Sequence, residues 1–183
     1  NAQTNVNNSG QKIRTVDITV EAAMAALVFL GTYIFKIPTI SGYVHLGDCM
    51  IILTVALFGM KKSAVAGAIG GGLSDFIGGY FYWVVPTLLI KCMWALVMGL
   101  IMHKILKDRK GAFLIGADQG VLHIIAYTLV RAALYGGRTA IIEIPALTFQ
   151  TGAGIVIGFV IYMLLKKIRR SRPLIRYGRL NTE

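Results

Sequence analysis

Residues 86–110 read PTLLIKCMWALVMGLIMHKILKDRK. Up to Met102 the only charge is Lys91. A stretch of that length crosses a bilayer as a helix, which takes roughly 20 apolar residues at a rise of ~1.5 Å each. It then stops in a cluster of Lys104, Lys107, Arg109 and Lys110. An apolar run halted by basic residues is the mark of a membrane helix whose end faces the cytoplasm.

Read outward from this stretch, the pattern repeats. Apolar runs fall at 18–36, 47–60, 63–84, 86–106, 112–136 and 146–166. They predict an all-α membrane protein of six transmembrane helices, the second of them short and partly re-entrant or capped by protein. The chain has 183 residues, 56% of them hydrophobic, and a mean hydropathy of +0.67. Six helices use most of that length, so residues 17–167 form one transmembrane domain between a polar segment, 1–16, and a basic tail, 168–183.

The formal charge of +11 does not mark a nucleic-acid-binding protein, because of where the charges fall. Fifteen of the 19 Lys and Arg lie at Lys12 and Arg14, at Lys61 and Lys62, in the 104–110 cluster, and from Lys166 to Arg179. With six helices these places share one side, and the positive-inside rule makes it the cytoplasmic side, with both termini there. The opposite loops carry Lys36 and Arg138. The basic tail suits anionic lipid headgroups or a cytoplasmic partner. Cys49 and Cys92 are isolated, without zinc spacing or a disulfide framework. The polar start, Asn1 to Gly10, reads as a trimmed terminus and not as a signal peptide.

Thr15 and Asp17 can cap the first helix, whose early face is small: Ala22, Ala23, Ala25 and Ala26. Pro38 ends it, and the following segment to His45 is too polar to face lipid, which makes it a candidate lid over a cavity. The third helix is loaded with glycine and alanine between Ala64 and Gly79, a composition that favours close helix packing. The run Tyr80-Phe-Tyr-Trp83 is expected to close that helix as an aromatic girdle or as a wall for a flat ligand.

Gly70-Gly-Gly72 continues into Leu-Ser-Asp, so the chain has no phosphate-binding P-loop, and it has neither His-Glu-x-x-His nor Gly-x-Ser-x-Gly. What remains is a set of ionisable residues inside apolar segments, which by default face a cavity or a partner. Asp75 and Lys91 can lie at similar depth and pair. His123, Tyr127 and Arg131 follow one another at i, i+4 and i+8, on one face of the fifth helix. Asp118 and Gln119 lie lower on it, Glu143 reads as a loop charge, and Gln150 needs an inward partner. With His45, Asp48 and Trp83 these residues gather toward one side and suggest a pocket beneath the Tyr43–His45 loop. The candidate substrate-binding set is His45, Asp48, Asp75, Trp83, Lys91, His123, Tyr127, Arg131 and Gln150.

From Thr15 to Lys167 the sequence resembles the substrate-binding S components of energy-coupling factor (ECF) vitamin transporters. The residues that carry the resemblance are Ala22 and Ala26 as an Ala-x-x-x-Ala, Tyr43-Val-His-Leu-Gly-Asp48, the Gly-rich run ending Leu73-Ser-Asp-Phe-Ile-Gly-Gly-Tyr80, Pro86-Thr-Leu-Leu-Ile-Lys91, and Ile144-Pro145 followed by Gln150. The resemblance is nearest to members assigned to hydroxymethylpyrimidine or pyridoxine. It departs from them at Pro145-Ala-Leu-Thr148, where such members often have an Asn.

The resemblance implies a non-catalytic subunit of a bacterial cell membrane, binding a vitamin or its precursor on the external side, with no cofactor. It implies docking through Ala22 and Ala26 onto a T component that two cytoplasmic ATPases drive. The other readings are an intramembrane enzyme built on Ser74, Asp75 and His123, and a structural subunit whose charges only join helices.

Overall fold

Three glycines with positive φ, Gly59 at +83°, Gly79 at +81° and Gly136 at +88°, stand where helices break. In the computed structural model, which describes residues 5–6, 12–13, 15–40, 42–105 and 120–171, six α-helices follow one another. They are α1 (Thr15–Tyr33), α2 (Gly47–Phe58), α3 (Met60–Ile77), α4 (Phe81–Gly99), α5 (Gly120–Tyr135) and α6 (Gly137–Ser171). A π-helical turn, Leu100–Ile105, extends α4. Two small antiparallel pairs complete the described residues: β1 (Asn5–Val6) with β2 (Lys12–Ile13), and β3 (Ile37–Thr39) with β4 (Gly42–Val44). The second pair is a hairpin in which Pro38 faces Tyr43.

The all-α expectation holds, and three boundaries differ from the sequence reading. α3 stops at Ile77, because Gly79 takes a positive φ and the Tyr80 N–H turns back to the Asp75 carbonyl at 2.9 Å. Tyr80-Phe-Tyr-Trp83 therefore opens α4 instead of closing α3, and depth cannot be counted from Asp75 to Trp83 along one helix. α4 starts at Phe81, so Pro86 lies inside it. Proline has no N–H, and so close to the N-terminus its absence removes a single helical bond. α6 starts at Gly137, with Pro145 inside it as well. Glu143 is consequently a helical residue, 3% exposed, and not a loop charge. Asp118 and Gln119 lie outside the described residues.

Among the described residues three helices are long and apolar enough to cross a membrane, at Thr15–Tyr33, Phe81–Lys104 and Gly137–Lys167; Gly47–Phe58 and Gly120–Tyr135 are apolar but shorter. The burial pattern is that of a protein in lipid. Asp48, Lys91 and His123 are fully buried, while Val85, Leu89, Phe149 and Val156 are each more than 60% exposed. Lipid tails are as apolar as leucine, so polar groups turn inward and apolar ones face out.

In lipid the bundle is held by close packing more than by the hydrophobic effect. α3 packs against α1, α2 and α4, and its small residues make this possible. A side chain on Gly70 would meet the Ala25 carbonyl of α1 at 2.5 Å, and one on Gly71 would meet Lys91 Cδ of α4 at 2.6 Å. The small-residue run is thus packing surface on two sides. Beneath it lies an apolar core of Val28, Ile51, Ile52, Val55, Trp94 and Met98.

Gly70→Val is expected to force α1 and α3 apart and to lower thermal stability in detergent by about 1–3 kcal/mol, the usual cost of overpacking. Gly79→Val should destabilise through its backbone alone, since open space surrounds that position. Midpoints of thermal unfolding check both.

Candidate functional site

The hairpin end of the bundle holds a cleft to which five parts of the chain contribute. The hairpin and the turn after it give Gly42, Tyr43 and His45, and α3 gives Asp75. Trp83 and Thr87 come from α4, Tyr127 and Arg131 from α5, and Leu147 and Gln150 from α6. On α4 and α5 the lining residues lie four apart, because that spacing returns to the same helix face. The cavity within it measures about 30 Å³, room for a water or two.

One wall is aromatic. The Trp83 ring stacks on Tyr127 at 5.7 Å and 22°, and on Tyr135 at 6.2 Å and 24°. Its indole N–H donates to the Tyr135 hydroxyl at 3.1 Å. The Arg131 guanidinium lies over the same indole, 5.3 Å from the ring centre, and forms an ion pair with Glu143 at 3.6 Å. The opposite side is polar. The Tyr43 hydroxyl donates to Asp75 Oδ1, and burial together with that carboxylate raises the Tyr43 phenol well above its ordinary range, so it stays a donor. Asp75 Oδ2 and Arg131 Nε are buried and make no hydrogen bond among the described residues. One is an acceptor and the other a donor, and both belong to side chains lining the cleft.

The hairpin is fastened over this space. Lys36 Nζ donates to the Ser74 carbonyl at 3.0 Å and sits among three tyrosine rings, 4.3 Å from Tyr43, 4.7 Å from Tyr33 and 5.4 Å from Tyr80. Three ring faces around one ammonium make a cation–π seat. It ties the end of α1, the hairpin and the α3–α4 turn together.

Below the cleft is a fully buried polar cluster. Lys91 Nζ lies 3.7 Å from Asp48 Oδ1, and His123 Nε2 lies 3.8 Å from Asp48 Oδ2. His123 Nδ1 is 3.2 Å from the Thr151 hydroxyl, and its ring packs on Trp94 at 4.6 Å. His45 spans the two layers. Its Nδ1 accepts the Gly47 N–H at 3.1 Å, and its Nε2 is 3.4 Å from Lys91 Nζ. Burial, and next the Lys91 charge, push the His45 imidazole down to about 3, so it is neutral near pH 7.

Six of the residues singled out from sequence line the cleft: His45, Asp75, Trp83, Tyr127, Arg131 and Gln150. Asp48, Lys91 and His123 lie in the cluster beneath it. The expected approach of Lys91 to Asp75 gives way to Lys91 with Asp48, because the break at Gly79 moves Asp75 to the hairpin side. Sequence reasoning missed Thr87 and Leu147. Thr87 had a signal, since Trp83, Thr87 and Lys91 share one helical face. Leu147 had one as well, since it lies three residues before Gln150 and shares its helical face. Among the described residues no group of three or more His, Cys, Asp and Glu is placed to hold a metal.

A family model described as ECF-type riboflavin transporter, S component, matches residues 12–167. An uncharacterized protein in a gap 3′ region of Pyrococcus woesei is 34% identical over 132 residues, which cover 72% of this chain and 87% of the relative.

His45 titrates near 6.5 when unfolded and near 3 when folded. The unfolded chain therefore binds its proton first, and the stability held above about pH 6.5 is lost progressively as pH falls toward 3. At pH 5 the loss from this residue is about 2 kcal/mol, at 1.36 kcal/mol per unit. Thermal unfolding at pH 7.5 and pH 5 should show it. His45→Asn should flatten the dependence.

Proposed function

The chain belongs to the ECF-type riboflavin transporter S component family, and from that premise we propose that it captures a small, flat heteroaromatic vitamin on the external side of the membrane and delivers it to an ATP-driven importer. S components are transporter subunits, not enzymes, and as a family they work with a T component and ATPases. For this chain the proposed assembly is one T component with two cytoplasmic ATPase subunits, the binding subunit crossing the membrane six times with both ends in the cytoplasm.

The observation that carries the substrate class is that one cleft is lined by the stacked rings of Trp83 and Tyr127 and by Asp75 and Arg131, whose Oδ2 and Nε make no hydrogen bond among the described residues. A flat ring slides against such a wall, a ring amine or hydroxyl donates to Asp75, and a ring nitrogen or oxygen accepts from Arg131. Hydroxymethylpyrimidine and pyridoxine carry both kinds of group on one ring. Riboflavin, named in the family description, has the same features on three fused rings. A cavity of about 30 Å³ admits none of them without movement of the hairpin, and the single-ring compounds ask for the least. Asp48, Lys91 and His123 then form the polar floor on which the ligand site rests.

Docking is assigned to the α1 face. Ala22 and Ala26, with Ala25, line an apolar groove between α1 and α3, beside Ile69, Gly70 and Leu73. A groove of small side chains lets another helix approach closely.

Calorimetric titration of the detergent-purified chain with pyridoxine, hydroxymethylpyrimidine and riboflavin tests the substrate class. Arg131→Gln should weaken the tightest of the three by about tenfold or more, since a charge-assisted hydrogen bond is worth about 1.5–3 kcal/mol, and Trp83→Ala should weaken it by about tenfold through loss of the stacking face, worth about 0.5–1.5 kcal/mol beyond its buried area. Heat from none of the three would overturn the heteroaromatic reading. Ala22→Leu or Ala26→Leu should abolish uptake by the assembled transporter and spare ligand binding. Loss of binding in a folded variant would refute that division.

A further inference from the structure

The ligand reading leaves Asp48 without a direct part in recognition, although it is among the most deeply buried charges of the chain. Its contacts indicate another role. Asp48 stands in the first turn of α2, three residues after the hairpin's last bend at His45. Gln150, on α6, is 5% exposed and reaches toward both residues. Its Oε1 accepts the backbone N–H of His45 at 3.1 Å, and its Nε2 donates to Asp48 Oδ2 at 2.7 Å.

These two bonds fix the amide. A backbone N–H only donates, and an ionised carboxylate only accepts. Turning the Gln150 amide over would set donor against donor at His45 and acceptor against acceptor at Asp48. One orientation satisfies both, and Asp48 selects it. Lys91, 3.7 Å from the other carboxylate oxygen, supplies the countercharge. The remaining titratable groups facing Asp48 are His45, with Nδ1 at 3.9 Å, and His123, with Nε2 at 3.8 Å.

We propose that Asp48 is a positioning residue. It holds the Gln150 amide in the orientation that clamps the hairpin's backbone at His45, and in this way it sets how often the hairpin lifts from the cleft. The functional meaning of the lift rests on the reading of the hairpin as the cover of the ligand site. The clamp itself is a property of the polypeptide and is measurable without ligand.

An exchange of the two side chains tests it. Gln150→Glu leaves an acceptor for the His45 N–H but sets a second carboxylate against Asp48. Hydrogen exchange of the full chain, followed by mass spectrometry of the peptide spanning 42–48, should quicken by about tenfold, as loss of a buried hydrogen bond predicts. Adding Asp48→Asn restores a donor–acceptor pair of reversed polarity. The pair keeps one negative charge for Lys91 and keeps the acceptor for His45.

The double variant Asp48→Asn/Gln150→Glu should return exchange to within about threefold of the wild-type value. Restored protection in the double variant supports the clamp even where Gln150→Glu alone does not fold. Wild-type exchange in a folded Gln150→Leu variant, which has neither the acceptor for His45 nor the donor for Asp48, would overturn the clamp. So would a folded double variant that exchanges tenfold faster than wild type in this peptide while its helices keep their protection. Release of bound pyridoxine, timed in the same variants, tests the cover separately. Exchange that follows the predicted order with release unchanged keeps the clamp and removes the hairpin as the gate.

Discussion

A carboxylate and an ammonium, both without solvent exposure, sit 3.7 Å apart where α2 meets α4. Taking two charges out of water costs several kcal/mol each, and a pair repays this only with further hydrogen bonds around it. Asp48 accepts one hydrogen bond, from Gln150 of α6 at 2.7 Å, Lys91 stands 3.4 Å from His45 of the hairpin turn, and His123 of α5 brings its ring nitrogen to 3.8 Å from the carboxylate. The cluster requires all these elements at once, and the bundle closes around it. The outside of the bundle is apolar because it faces lipid, which offers polar groups no partner.

The cleft above the cluster shares that economy. Its aromatic wall and its polar side come from different helices, and the hairpin joins them through Tyr43 on Asp75 and Lys36 among the tyrosines. The hairpin is therefore held by cation–π contacts and a few hydrogen bonds, not by an apolar core of its own. In the proposed reading, a ligand that offers partners to Asp75 and Arg131 competes with this fastening. That combination suits a subunit which must keep a vitamin from escaping and later give it up.

Membership of the S component family makes the chain a transporter subunit of the substrate-binding kind, and the polar cleft is where we propose the substrate sits. The family follows from the sequence along most of the chain. The cleft follows from side chains that converge only in three dimensions. Asp75 and Ser74 next to it make no nucleophile–base arrangement with His123, which is occupied by Asp48, Thr151 and Trp94. The enzyme reading therefore lacks the geometry that nucleophilic catalysis needs.

The sequence by itself determined the class of the protein. Apolar runs between basic clusters mark membrane helices, since lipid tolerates nothing else over that length. It also marked most of the cleft, because ionisable residues inside such runs are too costly to face lipid, and the His123–Tyr127–Arg131 spacing places three of them on one face. Tertiary structure decided the partners. Asp48 and not Asp75 meets Lys91, because one positive-φ glycine at 79 ends α3 and redirects the chain. Glu143 became a buried partner of Arg131, because α6 begins nine residues before the apolar run that announces it. Helical periodicity tells which face a residue shares with its neighbours in sequence. Which residues of other helices complete that face depends on where the chain turns, and a single backbone dihedral at a glycine sets that.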